Sequence, residues 1–226
     1  MGVDPVRLAG RLKQGGEMST YLENHARDAA DALSVHASIT LRHYGATVRA
    51  ASSSERAALC DQAEARSEDG PCIVAMSDLR IVTVPDLAAE RRWPAWSQTT
   101  RAAGFTAVVA VPAVIEPATA VALNLYLGPG RNWMEQDTAQ ARARVGSIAE
   151  DVADRLAVAA PLPRVPVGDN EPSQVGRVDQ AVGVLMQVNG CDARSARALL
   201  DLVAARHGRD VTDVAAFLIT AINGPL

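Results

Sequence analysis

Apolar positions recur at steps of three and four near the start of the chain, at Leu8 and Leu12, then at Tyr21, Leu22, Ala26, Ala29, Ala30 and Leu33. This spacing predicts helix over 1–34, interrupted at Gly15-Gly16, with Ser19 as N-cap of the second part. Two strand-like runs follow, Val35–Leu41 and Ala46–Ala51, separated by Arg42-His43-Tyr44-Gly45, and they read as a hairpin. Ser53 or Ser54 is placed to cap a helix through Ala57, Ala58, Leu59 and Ala63. Gly70-Pro71 turns into a short helix from Cys72 to about Asp78, and Ile81–Val84 is a β-branched run closed by Pro85. Trp93-Pro94 opens a helix to about Ala103 that Gly104 ends.

The strongest strands are Thr106–Val111 and Thr119–Leu127. In the second, Leu123, Leu125 and Leu127 alternate with Ala122, Asn124 and Tyr126, giving one aliphatic and one more polar face. Asn132 and Glu135 form a capping arrangement for the longest helix, about 134–158. Its stripe, Ala141, Val145, Ile148, Val152 and Leu156, with Thr138 before it, fits either a helix pair across a dimer axis or a helix lying on its own sheet. Pro161, Pro163, Pro166 and Pro172 mark an extended linker over 161–172. Beyond it three short amphipathic helices must share one small core. The first carries Val178, Ala181, Leu185 and Val188 inward and stops at Asn189-Gly190. The second is capped by Asp192, turns Ala196, Leu199, Leu200 and Val203 inward and ends at Gly208. The third opens at Asp210 with Asp213 and turns Val211, Val214, Ala215 and Leu218 inward. The element order suggests an antiparallel sheet with helices on one side and a pocket beneath mobile loops.

At 226 residues, 48% of them hydrophobic and 21% charged, the chain has room for one domain plus a smaller one, each with a real core. No run reaches membrane-span length and Met1–Val6 shows no signal-peptide pattern, so a cytoplasmic protein is expected. Cys60, Cys72 and Cys191 are odd in number and unpatterned in spacing, which argues against a disulfide framework or a CxxC metal site. The net charge of -4 lies wholly before Ser173, because five Arg and five Asp balance in the tail. Any RNA contact there must rest on a local cluster. There is no GxSxG, no phosphate loop with Lys, no HExxH and no kinase signature, and Asp and Glu read as solvated faces, so no enzyme and no cofactor are expected.

Four motifs, Gly70-Pro71-Cys72, Val84-Pro85-Asp86-Leu87, Arg92-Trp93-Pro94 and Ala122-Leu123-Asn124-Leu125-Tyr126, resemble in order and spacing a GAF domain of the actinobacterial kind. The resemblance implies an α+β, PAS-like antiparallel sheet with flanking helices over 1–160, able to hold a small molecule and to dimerise. The residue set of cyclic-nucleotide GAF domains is not recognisable, nor is a bilin-attachment cysteine. Cys72, Trp93, Trp96 and Asn124 are the candidate ligand-binding residues. Cys72 reads either as a redox thiol activated by the helix behind it or as a small buried filler, and the tryptophans as pocket lining or as packing. His25, His36 and His43 read as hydrogen-bonded side chains before haem or metal ligands.

The tail is similar to an ANTAR domain, on Val178-Asp179-Gln180-Ala181-Val182-Gly183-Val184-Leu185-Met186, the Gly190-Cys191 turn, Ala196 with Leu199-Leu200, and Val211-x-Asp213-Val214-Ala215. That family is an all-α three-helix bundle that binds RNA hairpins and relieves transcription termination, which assigns 173–226 to RNA binding. The site residues so implied are Arg177, Ala181, Val182, Gly183, Arg194, Arg197, Arg206 and Arg209, the arginines for phosphates or base stacking and the small residues for close approach. The family usually has lysine where this chain has Val182, and basic residues near Asp201 and Leu202. The expected function is a bacterial antitermination regulator, a homodimer with hairpin RNA and a possible small-molecule ligand as partners. The alternative is a dimeric ligand-binding or protein-interaction module whose ANTAR-like tail has lost RNA binding.

Overall fold

The computed structural model describes residues 18–43, 46–116, 119–159, 174–189 and 191–223. The linker at 161–172 and the helical pattern of Leu8 and Leu12 lie outside them. The first helix, α1, is Met18–Leu33, so Ser19 lies inside it and does not precede it. The expected hairpin is β1 (His36–His43) paired antiparallel with β2 (Ala46–Ser52), with a register shift between Ile39 and Thr40. Ser54 caps α2 (Glu55–Ser67), its hydroxyl accepting the Ala57 N–H. Next come α3 (Pro71–Asp78), β3 (Val82–Val84) and α4 (Pro94–Ala102), each helix opening on a proline whose missing N–H needs no partner there. Strands β4 (Ala107–Glu116) and β5 (Thr119–Leu127) complete an antiparallel sheet of order β2-β1-β5-β4-β3.

Helix α5 (Glu135–Ala159) follows. Its first turn is held by Asp137, which accepts the Met134 N–H at 2.8 Å and pairs with Arg131 at 2.8 Å. The carboxylate one turn in therefore reaches back to close the helix start, the part expected of Asn132 and Glu135.

Helices cover both faces of the sheet, not one. Strand β5 is buried along its whole length, so neither of its faces can be left to water. Leu123, Leu125 and Leu127 join Ile39, Leu41, Val109 and Val111 under α1 and α5. On the other face Ala122 and Tyr126 join Val108 and Ala110 under α2, α3 and α4. This arrangement decides the reading of the α5 stripe. Ala141, Val145, Ile148 and Val152 are at most 2% exposed, packed with Leu22, Ala26, Ala29 and Leu33 of α1 in the protein's own core. They are not a free face awaiting a second copy.

The C-terminal bundle consists of α6 (Gln174–Asn189), α7 (Ala193–His207) and α8 (Val211–Asn223). Asp192 caps α7 by accepting the Ser195 N–H, and Gly208 ends it with φ +60°, a conformation that glycine adopts without strain. Asp210 opens α8 by accepting the Thr212 N–H at 2.7 Å. Ala181, Leu185, Ala196, Leu200, Val203, Val214, Ala215 and Leu218 form the interior, and these residues are continuous with the α1–α5 layer of the sheet. Two contacts mark the junction. His43 of β1 stacks on Phe217 of α8 (centroids 3.5 Å apart, planes 13° apart), and Asn189 Nδ2 donates to the Thr47 carbonyl of β2 at 3.3 Å.

Candidate RNA-binding and ligand-binding sites

Within the bundle, helical periodicity separates the expected RNA residues into two groups. Ala181 is fully buried and Val182 half-buried against the core, so α6 turns these positions inward or to the margin. Gly183 is exposed, and a Cβ built there would meet nothing within 4 Å, leaving bare helix backbone open to close approach. Arg194 and Arg197 are exposed one turn apart on α7. Asp179, one turn before Gly183 on α6, acts on the Arg197 charge across the helix pair. Arg197 is also held by Asp201, with Nε at 3.0 and 2.9 Å from its two oxygens. The i,i+4 spacing of that pair was readable in the chain, and it offsets one of the cations expected to face phosphate. Arg177 is half-buried, and Arg209 is exposed beyond the far end of α7, about 20 Å from Arg194 at 1.5 Å per residue. Arg206 belongs to α7, but its side chain lies outside the described residues. Gly183, Arg194 and Arg197 are thus all exposed, while Arg209 lies apart from Arg194 beyond the end of α7.

In the N-terminal domain a second site was largely missed. Cys72, Trp93, Trp96 and Asn124 all come to the α2–α4 side of the sheet, and all are buried. Asn124 stands at the centre of a polar network. Its Nδ2 lies 3.0 Å from Thr40 Oγ1 and 3.3 Å from Asp61 Oδ1, and the Tyr126 hydroxyl donates to the same Asp61 oxygen at 2.5 Å. Glu64, one turn along α2, accepts the Cys72 N–H at 2.6 Å. Asp61 and Glu64 are 3% and 1% exposed, so the reading of acidic residues as solvated faces fails here. The signal was the four-residue spacing of Asp61 from Ala57 and of Glu64 from Cys60, on the apolar side of α2.

Burial raises both carboxyls, Asp61 to about 6 and Glu64 to about 8, and the charge of Asp61 pushes Glu64 further in that direction. Gly70 packs on the Glu64 carboxylate so closely that any Cβ would overlap it, and its φ of +157° is tolerated by glycine. Cys72 does not behave as an activated thiol. Burial, then the two carboxylates, hold its thiol well above the ordinary range, although it sits in the first turn of α3. Burial likewise pushes Cys60 up to about 12.

Trp93 donates its indole N–H to Asp69 at 2.9 Å and meets Trp96 edge to face, a packing arrangement. The three histidines are hydrogen-bonded: His25 to Asp151, His36 to Ser54 and His43 to Thr119. Among the described residues no group of three or more His, Cys, Asp or Glu is arranged to hold a metal ion, and no helix is long and apolar enough to cross a membrane.

Residues 174–219 match the ANTAR domain family. Comparison with curated proteins gave no match. Among solved structures, the GAF3 domain of Slr1393 from Synechocystis sp. PCC6803, in its photoproduct state, superposes with a TM-score of 0.51 at 12% identity, covering 63% of this chain and 97% of that one. SdiA in complex with octanoyl-rac-glycerol superposes with a TM-score of 0.50 at 11% identity, covering 98% and 97%. At such identities the likeness is one of fold, and for the sheet with its flanking helices that fold is GAF. The chain therefore carries an ANTAR domain at residues 174–219 behind a domain of the GAF fold, a GAF–ANTAR architecture.

Proposed function

We propose that the protein is a bacterial, cytoplasmic regulator that binds hairpin RNA through its ANTAR domain and prevents transcription termination, with the GAF domain as sensor or dimerisation scaffold. The observation that carries this reading is the ANTAR match at 174–219, and the exposure of Gly183, Arg194 and Arg197 supports it. An exposed arginine pair on α7 and bare helix backbone on α6 suit a hairpin: guanidinium groups hold phosphates or stack on unpaired bases, and the glycine admits the loop closely. Binding favours the hairpin over a competing terminator stem, so the regulatory work is a shift in RNA folding. A homodimer belongs to the proposal, since two linked ANTAR domains would hold two hairpins with raised avidity. Its surface is to be sought away from the buried α5 stripe.

The test is RNA recovered with the purified protein from its own cell and sequenced, followed by titration of the enriched hairpin at several salt concentrations. Affinity that falls steeply with salt supports the reading. A second reading has its own observation. The Arg197–Asp201 pair and the half-buried Val182 weaken the cationic character of the surface, which suits a tail kept for packing on the GAF domain. Salt-insensitive or absent hairpin binding selects that reading.

A further inference from the structure

Helices α2 and α4 run side by side in opposite directions. Trp93 reaches Asp69 past the end of α2, while Arg56 near its start donates from Nε to the Ala103 carbonyl at 2.6 Å. Between these two ties, Trp96 stands level with Glu64. The Trp96 indole N–H, Glu64 Oε2, Asp61 Oδ2 and Asn124 Oδ1 are buried without a well-formed hydrogen bond, the Ser38 hydroxyl beside Asp61 and the Cys72 thiol beside Glu64 being the nearest further donors to the carboxyls. Trp96, Glu64, Asp61 and Asn124 are all 3% exposed or less. Folded chains leave only a few such atoms unbonded per hundred residues, and four on neighbouring residues call for a further partner, water or a bound molecule. They do not satisfy one another, because three are acceptors and the single donor reaches none of them.

Charge points the same way. Arg49 lies opposite Thr40 in the β1–β2 register and so projects to the same side of the sheet. It acts on the charge of Asp61, whereas burial and the charge of Asp61 favour the protonated form of Glu64 up to about pH 8. A cation with several N–H donors is what would hold both carboxyls ionised.

We propose that Asp61, Glu64, Asn124 and Trp96 form a binding site for a small primary ammonium compound. Its three N–H donors take Asp61 Oδ2, Glu64 Oε2 and Asn124 Oδ1, and Trp96 Nε1 donates to an oxygen elsewhere on the same molecule. The proposal rests on the GAF domain being a sensor and narrows that reading to one ligand class.

Thermal melting of the full chain at pH 7.5 and constant ionic strength tests it with four probes. They are 2-methoxyethylammonium, tetramethylammonium (a charge without donors), acetamide (donors without a charge) and acetate. The expected result is a saturable rise in Tm with 2-methoxyethylammonium and none with tetramethylammonium. Glu64→Gln and Asp61→Asn, checked as folded by circular dichroism, should each lose tenfold or more in affinity, while Glu55→Gln on the exposed start of α2 keeps it. If either variant fails to fold, calorimetric titration of the unaltered protein with the same four probes decides. A response to acetamide or acetate alone overturns the ammonium class and leaves the sensor reading standing. No saturable response to any probe, or an equal response to tetramethylammonium, overturns the site itself, as expected if ordered water fills the cluster. A broad metabolite screen then judges the sensor reading separately.

Discussion

Replacing Glu64 by Gln should make the protein more stable, and increasingly so as pH rises. Glu64 is 1% exposed, one oxygen accepts the Cys72 N–H, the other has no well-formed hydrogen bond, and Asp61 lies one turn away. Its carboxyl is raised from 4.5 to about 8 in the folded state, so folding favours the protonated form. The sign follows: the contribution is whole below the unfolded pKa and is lost as pH climbs through the folded one. At about 1.4 kcal/mol for each pKa unit, the group removes about 3 kcal/mol of stability between about pH 5 and pH 8. Glutamine keeps the acceptor for Cys72, cannot ionise, and offers Asp61 an N–H donor in place of a second carboxylate. The variant should match the unaltered protein within about 1 kcal/mol at about pH 5 and exceed it by about 3 kcal/mol at about pH 8. For a chain of this size that is a Tm difference of roughly 6–12 °C. Urea and thermal melts followed by circular dichroism across this range provide the measurement. A difference that stays flat with pH, or a variant less stable at the alkaline end, would refute the reasoning.

Four further outcomes are expected. Arg194→Ala should weaken hairpin binding and lower the salt slope by about one, whereas Asp201→Ala should tighten binding by releasing Arg197; filter binding at several salt concentrations tests both, and unchanged affinity in both would count against this surface. Val182→Lys, at the margin of the bundle core, should bind hairpin more tightly with a slope steeper by about one, and a melt showing an unfolded tail would mean the position is too deep to hold an ammonium group. Val152→Glu should unfold the GAF domain itself, because Val152 is fully buried within the protomer; a folded monomer from this variant, seen by light scattering and circular dichroism together, would return the α5 stripe to a dimer interface.

Elements with strong local signals were legible: the β5 alternation, the prolines opening α3 and α4, and Asp192 and Gly208 bounding α7. The α5 stripe was legible as an apolar face, but nothing local says what covers such a face, and here it is the protein's own sheet and α1. The start of α5 misled because Asn132 and Glu135 have cap spacing, while the bond made runs from Met134 to Asp137. The buried carboxylates escaped notice for a related reason. On a wheel, Asp61 and Glu64 fall beside Ala57 and Cys60, but acidic residues are read outward by default, and only the arrival of Asn124 and Tyr126 from β5 turns that face into an interior. In the bundle the separation of buried Ala181 from exposed Gly183 follows from helical phase alone.

The bond from Asn189 to Thr47 bears on how the protein keeps from sticking to copies of itself. Strand β2 ends the sheet, and the rim of such a strand offers unpaired peptide groups to any passing chain of similar shape. Asn189 occupies one of those carbonyls, and the three bundle helices lie against the same strand. The ANTAR domain thus doubles as the guard of an aggregation-prone rim. A GAF domain expressed without residues 174–226 would be expected to associate through β2, and a charged residue placed on that rim should restore its solubility.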